Sequence, residues 1–186
     1  MEIGFCLQDI VTGPLANQIS LSIEAAQGLY YRLVLLVGES GSGKSQVLRD
    51  VAKAFGSPFI NVNLALSSEL LELTAKQRPL RLPGILEAIA RAEERETGER
   101  HHLLATNPSS IAPVVLDNIE ILFDKDLKQD PLRLLQGISR NRAVVASWNG
   151  TMNSGRLLYA ETGHPEYRSY DAIDALISSP RQVDLP

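Results

Sequence analysis

Along this chain the spacing of apolar residues switches repeatedly between helical and strand periods. Leu15, Ile19, Ile23, Ala26 and Tyr30 recur at helical spacing after Gly13-Pro14, which predicts an amphipathic helix ahead of the first strand. Residues 33–37 are continuously apolar and run into a glycine-rich turn, as a strand buried on both faces does. Helical period returns with Val47, Leu48, Val51, Ala52 and Phe55, and Gly56 with Pro58 closes that helix. Residues 59–62 predict a second short strand. Over residues 64–96 the period is helical again, with Leu66, Leu70 and Leu73 on one face and a break at residues 76–79. Pro83 is expected in the first turn of a new helix, where a missing N–H leaves no bond unmade. Residues 112–116 form a third apolar run closed by Asp117. Asp130-Pro131 reads as an N-cap followed by proline at the first helical position, with Leu132, Leu135 and Ile138 as the buried face. Residues 143–148 predict the fourth strand, Val144, Ala146 and Trp148 on one face and Val145, Ser147 and Asn149 on the other, so that Trp148 belongs to the core.

Strands alternating with helices predict an α/β fold, a mostly parallel sheet covered by helices on both faces. The last part departs from this. Only the seven residues 150–156 precede the next apolar run, residues 157–160, too few for a parallel crossover, so an antiparallel hairpin turned around Asn153-Ser154-Gly155 is expected. A chain of 186 residues suits one core, which predicts a single domain over residues 1–178 and a frayed tail at 179–186. The lone Cys6 excludes an internal disulfide and reads as a small buried residue in a reducing compartment. A net charge of −4 gives no global attraction to nucleic acid or anionic membranes, and no apolar run approaches a bilayer span, so the expected location is the cytoplasm. The Glu- and Arg-rich residues 87–100, with the i,i+4 pair Glu87 and Arg91, read as a solvated helix face.

Chemistry concentrates where the first strand ends. Gly38-Glu39-Ser40-Gly41-Ser42-Gly43-Lys44-Ser45 fits G-x-x-x-x-G-K-[ST] in full, between a buried strand and an amphipathic helix. Glycines let successive N–H groups turn inward at a helix N-terminus and cradle a polyphosphate. Lys44 would sit on the β- and γ-phosphates and the Ser45 hydroxyl on Mg²⁺, so ATP or a close relative with Mg²⁺ is the expected ligand. Asp117, an acid ending an apolar strand, has the Walker B form and would complete the metal site, unless it only caps the strand. Hydrolysis needs a group that activates water. Many ASCE-type ATPases, including the AAA+ group this layout resembles, place a glutamate directly after that aspartate. Asn118 stands there instead, and Glu120 could serve only if the strand ends at once after Asp117; otherwise it is a solvent-facing residue. In such proteins the strand inserted between the P-loop strand and the Walker B strand ends in a polar residue that senses the γ-phosphate. Asn149 matches that place, although Asn149-Gly150 is also a turn dipeptide. A trans-acting arginine from a neighbouring copy would come from Arg156, with Arg142 less well placed; both are otherwise ordinary surface residues. Lys76, Arg78 and Arg81 lack interleaved aromatics and read as a solvated loop before a DNA contact, and adjacent His101-His102 cannot face one metal from a regular element.

Residues 115–123, 130–137 and 147–150, Tyr159-Ala160 and Gly163-His164-Pro165-Glu166-Tyr167-Arg168, together with the loop at 38–45, resemble the BrxF family of small P-loop proteins from type III BREX phage-defence operons. The similarity spans most of residues 33–170, and the later runs carry its specificity. It implies an ATPase-like cytoplasmic subunit that acts with other BREX proteins, with Lys44, Ser45, Asp117 and Asn149 at the nucleotide. Unlike AAA+ proteins the chain has no expected helical lid after the hairpin, so a neighbouring subunit in a homo-oligomer would close the site. Two other functions fit the loop: a small-molecule kinase, whose arginine-rich lid is not evident, and an assembly module that binds nucleotide without turnover, which Asn118 favours.

Overall fold

The computed structural model describes residues 14–101 and 112–179, without side chains for residues 92–101. The expectations for Gly13, Cys6, His102 and residues 180–186 lie outside the described residues. The elements in chain order are α1 (Pro14–Ala26), β1 (Leu33–Gly38), α2 (Lys44–Phe55), β2 (Phe59–Asn61), α3 (Val62–Leu71), α4 (Gln77–His101), β3 (Val114–Asp117), α5 (Pro131–Ser139), β4 (Val144–Asn153), β5 (Arg156–Tyr159), β6 (Arg168–Tyr170) and β7 (Leu176–Ser178). Two short 3₁₀ turns, Glu120–Phe123 and Lys125–Leu127, lie between β3 and α5.

Five strands pair in parallel in the order β2-β3-β4-β1-β7, and β5 and β6 continue antiparallel from β4. Alternation along the central strands divides the core in two. Val34, Leu36, Val115 and Val145 pack under α1 and α2 with Ile19, Ile23, Leu48 and Val51. Leu35, Leu116, Ala146 and Trp148 face the other way, against Leu66 and Leu70 of α3, Leu82 and Leu86 of α4, and Leu132 and Leu135 of α5. The sheet is thus mostly parallel with helices on both faces.

Several local expectations change. Tyr30 lies past the end of α1 and is 71% exposed. The helix expected to begin near Pro83 begins at Gln77, with Pro83 inside it. A proline there leaves the carbonyl four residues earlier without its helical donor. That carbonyl, Pro79 O, accepts from Gln129 Nε2 at 2.7 Å, a bond from 50 residues away that the local sequence could not announce. Arg78 is not a solvated loop residue, because its Nε donates to Leu70 O and Leu73 O at 3.0 and 3.1 Å and closes the end of α3. Asn149-Gly150 is not a turn: β4 runs straight through it to Asn153, and the hairpin reverses at Ser154-Gly155, both with positive φ (48° and 81°). Such a pair of left-handed residues matches the twist of the flanking strands. The short strands β6 and β7 were not expected; β7 adds a fifth parallel strand beside β1 and buries Ser178. Asp130 does cap α5, its Oδ1 accepting from Arg133 N at 3.1 Å, with proline next. Glu87 and Arg91 pair on an exposed face at 2.6 Å.

Candidate functional site

Parallel strands bring all their C-terminal ends to one edge of the sheet. Gly38 ends β1 opposite Asn149 of β4, and Asp117 ends β3 opposite Asn61 of β2. Continuing the alternation, Asp117 and Asn149 fall on the face that carries Val115 and Val145, the face covered by α2. Loop 38–45, Asp117 and Asn149 therefore meet at one edge beside the start of α2.

The loop itself is set up for an anion. Gly41 and Gly43 have φ of 80° and 84°, a conformation that side chains other than glycine rarely adopt. Gly43 occupies the N-cap of α2 without any side-chain cap, and no acid lies in the first turn. The first amides of α2 are thus donors with no side-chain partner, at the positive end of the helix dipole. A Cβ placed on Gly41 or Gly43 would meet nothing within 4 Å, so the space above the loop is open.

Lys44, the first residue of α2, is 5% exposed and folds back over its own loop. Its Nζ donates to Gly38 O and Glu39 O at 2.9 and 2.6 Å and reaches Ser42 Oγ at 3.3 Å. Burial lowers its pKa from the usual lysine value, while the charges of Glu120 and Asp117 act in the opposite direction. Both carboxylates are close enough to be felt by the lysine.

Asp117 is 2% exposed, and no hydrogen bond to its carboxylate is found among the described residues. A buried carboxylate so placed calls for a cation. No group of three or more His, Cys, Asp or Glu suited to a metal occurs among the described residues. The Asp117 carboxylate and the half-buried Ser45 hydroxyl are hard oxygen donors of the kind Mg²⁺ takes.

β3 does end at Asp117, the condition for Glu120 to turn inward. Asn118 takes a left-handed φ of 53°, its carbonyl accepts from Asn63 N at 2.9 Å, and a 3₁₀ turn starts at Glu120. This bend brings the Glu120 carboxylate to Asn149, whose Nδ2 donates to it. The two polar residues singled out separately, Glu120 beyond β3 and Asn149 on β4, are partners.

Behind them lies an aromatic cluster that sequence reasoning missed, apart from placing Trp148 in the core. Phe123 stacks on Tyr159 with centroids 3.4 Å apart, and Trp148 meets Phe123, Tyr159 and Tyr170 edge to face. Trp148 Nε1 donates to Leu158 O at 3.0 Å. Burial, then the charges of Glu166 and Glu120, push the Tyr159 hydroxyl up to about 12. The signal available in the sequence was aromatic residues on consecutive strands, without the pairing that unites them.

Arg156 is not brought to this edge. It stands beside the hairpin turn opposite Asn153, four residues along β4 from Asn149 or about 13 Å, and it pairs with Asp171 on the surface. Arg142 lies at the far end of β4, where it donates to Ala90 O at 2.9 Å. No helix among the described residues is long and apolar enough to cross a membrane. No protein-family model matches the chain, and no curated protein or solved structure is significantly similar to it.

Proposed function

We propose that the chain is a P-loop NTPase of ASCE type that binds ATP or a close relative with Mg²⁺ and acts as a nucleotide-dependent switch or ATPase subunit. The observation that carries this reading is the convergence of an uncapped helix start, a buried lysine and an unbonded buried aspartate at one sheet edge. The position of β4 between β1 and β3 supports it, because a polar strand end is thereby set between the loop and Asp117. In this reading the α2 amides and Lys44 would hold the β- and γ-phosphates, and Ser45 and Asp117 would hold Mg²⁺, which would supply charge neutralisation at the phosphates. Lys44 must leave its loop carbonyls to do so. Glu120 would orient the attacking water, and Asn149 would leave Glu120 to contact the γ-phosphate.

The resemblance to the BrxF family suggests a cytoplasmic role in phage defence of BREX type, with other BREX proteins and further copies of this chain as partners. Arg156 would then act on a neighbour's nucleotide after leaving Asp171. A second reading, binding without turnover, is favoured by the engagement of Glu120 with Asn149. Titration with ATP and Mg²⁺, phosphate release, and mass in solution with and without nucleotide test these readings for wild type and Lys44→Ala. Binding lost in the variant supports the nucleotide site, and phosphate release then decides between turnover and binding alone. Failure of wild type to bind ATP, ADP or GTP at millimolar concentration would sink the proposal.

A further inference from the structure

The opposite edge of the sheet carries a second cluster. Tyr30-Tyr31-Arg32 leads into β1 and Arg140-Asn141-Arg142 into β4, and these strands are neighbours, with Leu33 opposite Val144. Two backbone bonds lock the entries together: Arg32 N donates to Ser139 O at 3.0 Å and Val144 N to Arg32 O at 2.8 Å. Tyr30 and Tyr31 meet edge to face at 4.7 Å, and the Arg140 guanidinium lies 5.7 Å from each ring centroid. Tyr30 is 71% exposed and Leu29 beside it 43%, while Arg140 is itself exposed.

Arg32 and Arg140 are not paired with acids among the described residues. Arg32 Nε is a buried donor with no acceptor. An unpaired buried donor carries a cost, and the exposed Tyr30 ring beside Arg140 leaves an aromatic face open to a ligand. The chain as a whole is acidic at −4, so this is a local concentration of positive charge.

We infer that this edge binds single-stranded nucleic acid, with a base stacked on Tyr30 and phosphates held by Arg140 and Arg32. An exposed aromatic plane beside guanidinium groups suits unpaired bases, which offer a face to stack on and a backbone charge within reach. A duplex keeps its base faces covered, and an acidic peptide would use the arginines and leave the Tyr30 ring idle. β1 separates this cluster from loop 38–45 by its six residues, about 20 Å, so a strand bound here leaves the nucleotide edge free.

The test is fluorescence anisotropy with labelled oligo-dT and oligo-rU of about 16 nucleotides, against a duplex of equal length and a polyglutamate peptide. The expected result is binding of one or both single strands, weakened about tenfold or more by Tyr30→Ala and by Arg140→Ala and retained by Tyr30→Phe. The dT and rU arms decide between DNA and RNA. Fluorescence of the single tryptophan, Trp148, checks that each variant is folded. Absence of single-strand binding at low salt, binding unaffected by either alanine variant, or a duplex bound as tightly would overturn the inference. So would polyglutamate binding that depends on Arg140 but not Tyr30, which would assign the surface to an acidic protein.

Discussion

Gly150 leaves no room for a side chain against β5, and replacing it with alanine tests how firmly Asn149 is held. A Cβ at this position would lie 1.9 Å from Leu158 O and 3.0 Å from Trp148 Nε1. The obstacle is backbone, so β5 must retreat by more than about 1 Å to reach van der Waals contact. Trp148 is fully buried, and its 3.0 Å bond to Leu158 O would be stretched past useful length. An unsatisfied indole N–H costs about 1–3 kcal/mol. Loosening the Phe123–Tyr159 stack costs about 0.5–1.5 kcal/mol more. Against this, alanine restricts the unfolded chain by about 0.4–1 kcal/mol. The net loss is about 0.5–4 kcal/mol, a fall in Tm of roughly 1.5–12 °C at about 3 °C per kcal/mol for a chain of this size. Trp148 is the only tryptophan, so its fluorescence reports both the melt and the local change. Gly137→Ala in α5, where a Cβ meets nothing within 4 Å, is the control and should stabilise by up to about 1 kcal/mol. A Gly150→Ala protein melting within about 1 °C of wild type with unshifted emission would mean that β5 takes the added Cβ without disturbing Trp148.

Three further outcomes are expected. Because burial lowers the Lys44 pKa, the nucleotide-free protein bears the cost of a charged lysine at neutral pH, a cost that fades as pH rises toward 10.5. Lys44→Met should therefore match or exceed wild-type stability by up to ~1 kcal/mol in differential scanning fluorimetry while losing any ATP-induced rise in Tm. Tyr159, with its folded pKa raised from 10.0 to about 12, stabilises the fold below pH 10 and loses that contribution as pH climbs through 12. The loss is at most about 2.7 kcal/mol, and urea midpoints between those pH values should decline less steeply in Tyr159→Phe. Glu120→Gln should lower ATP turnover by about 100-fold with binding intact, and adding Asn118→Glu should not restore it, as single-turnover phosphate release would measure.

Legibility followed the range of the interactions. β1, α2 and α5 were readable because their signals are local: an apolar run, a helical face closed by Gly56, an aspartate before a proline. The start of α4 was misread because Pro83 is tolerated through Gln129, a contact across the fold. β7 was missed because three residues carry no period, and only pairing with β1 makes them a strand. At the candidate site the residues were legible one by one, but not their partnership. Asn149-Gly150 has turn chemistry, yet Gly150 is demanded by close passage of β5, and the chain stays extended.

The same contrast explains how Glu120 reaches the edge at all. A carboxylate three positions beyond Asp117 would be carried away if β3 continued, because extended chain advances about 3.3 Å per residue. Asn118 prevents this by entering the left-handed region, which asparagine tolerates better than most residues, and its carbonyl is tied to Asn63 N. The following 3₁₀ turn is anchored by Leu122 and Phe123, both fully buried, with Phe123 under Tyr159. Glu120 is thus held by the bend at Asn118 on one side and the aromatic cluster on the other. Asn118→Gly should preserve that bend, whereas Asn118→Val, β-branched and strained at positive φ, should cost about 1–3 kcal/mol. If the valine variant melts like wild type, the left-handed residue is not what sets the position of Glu120.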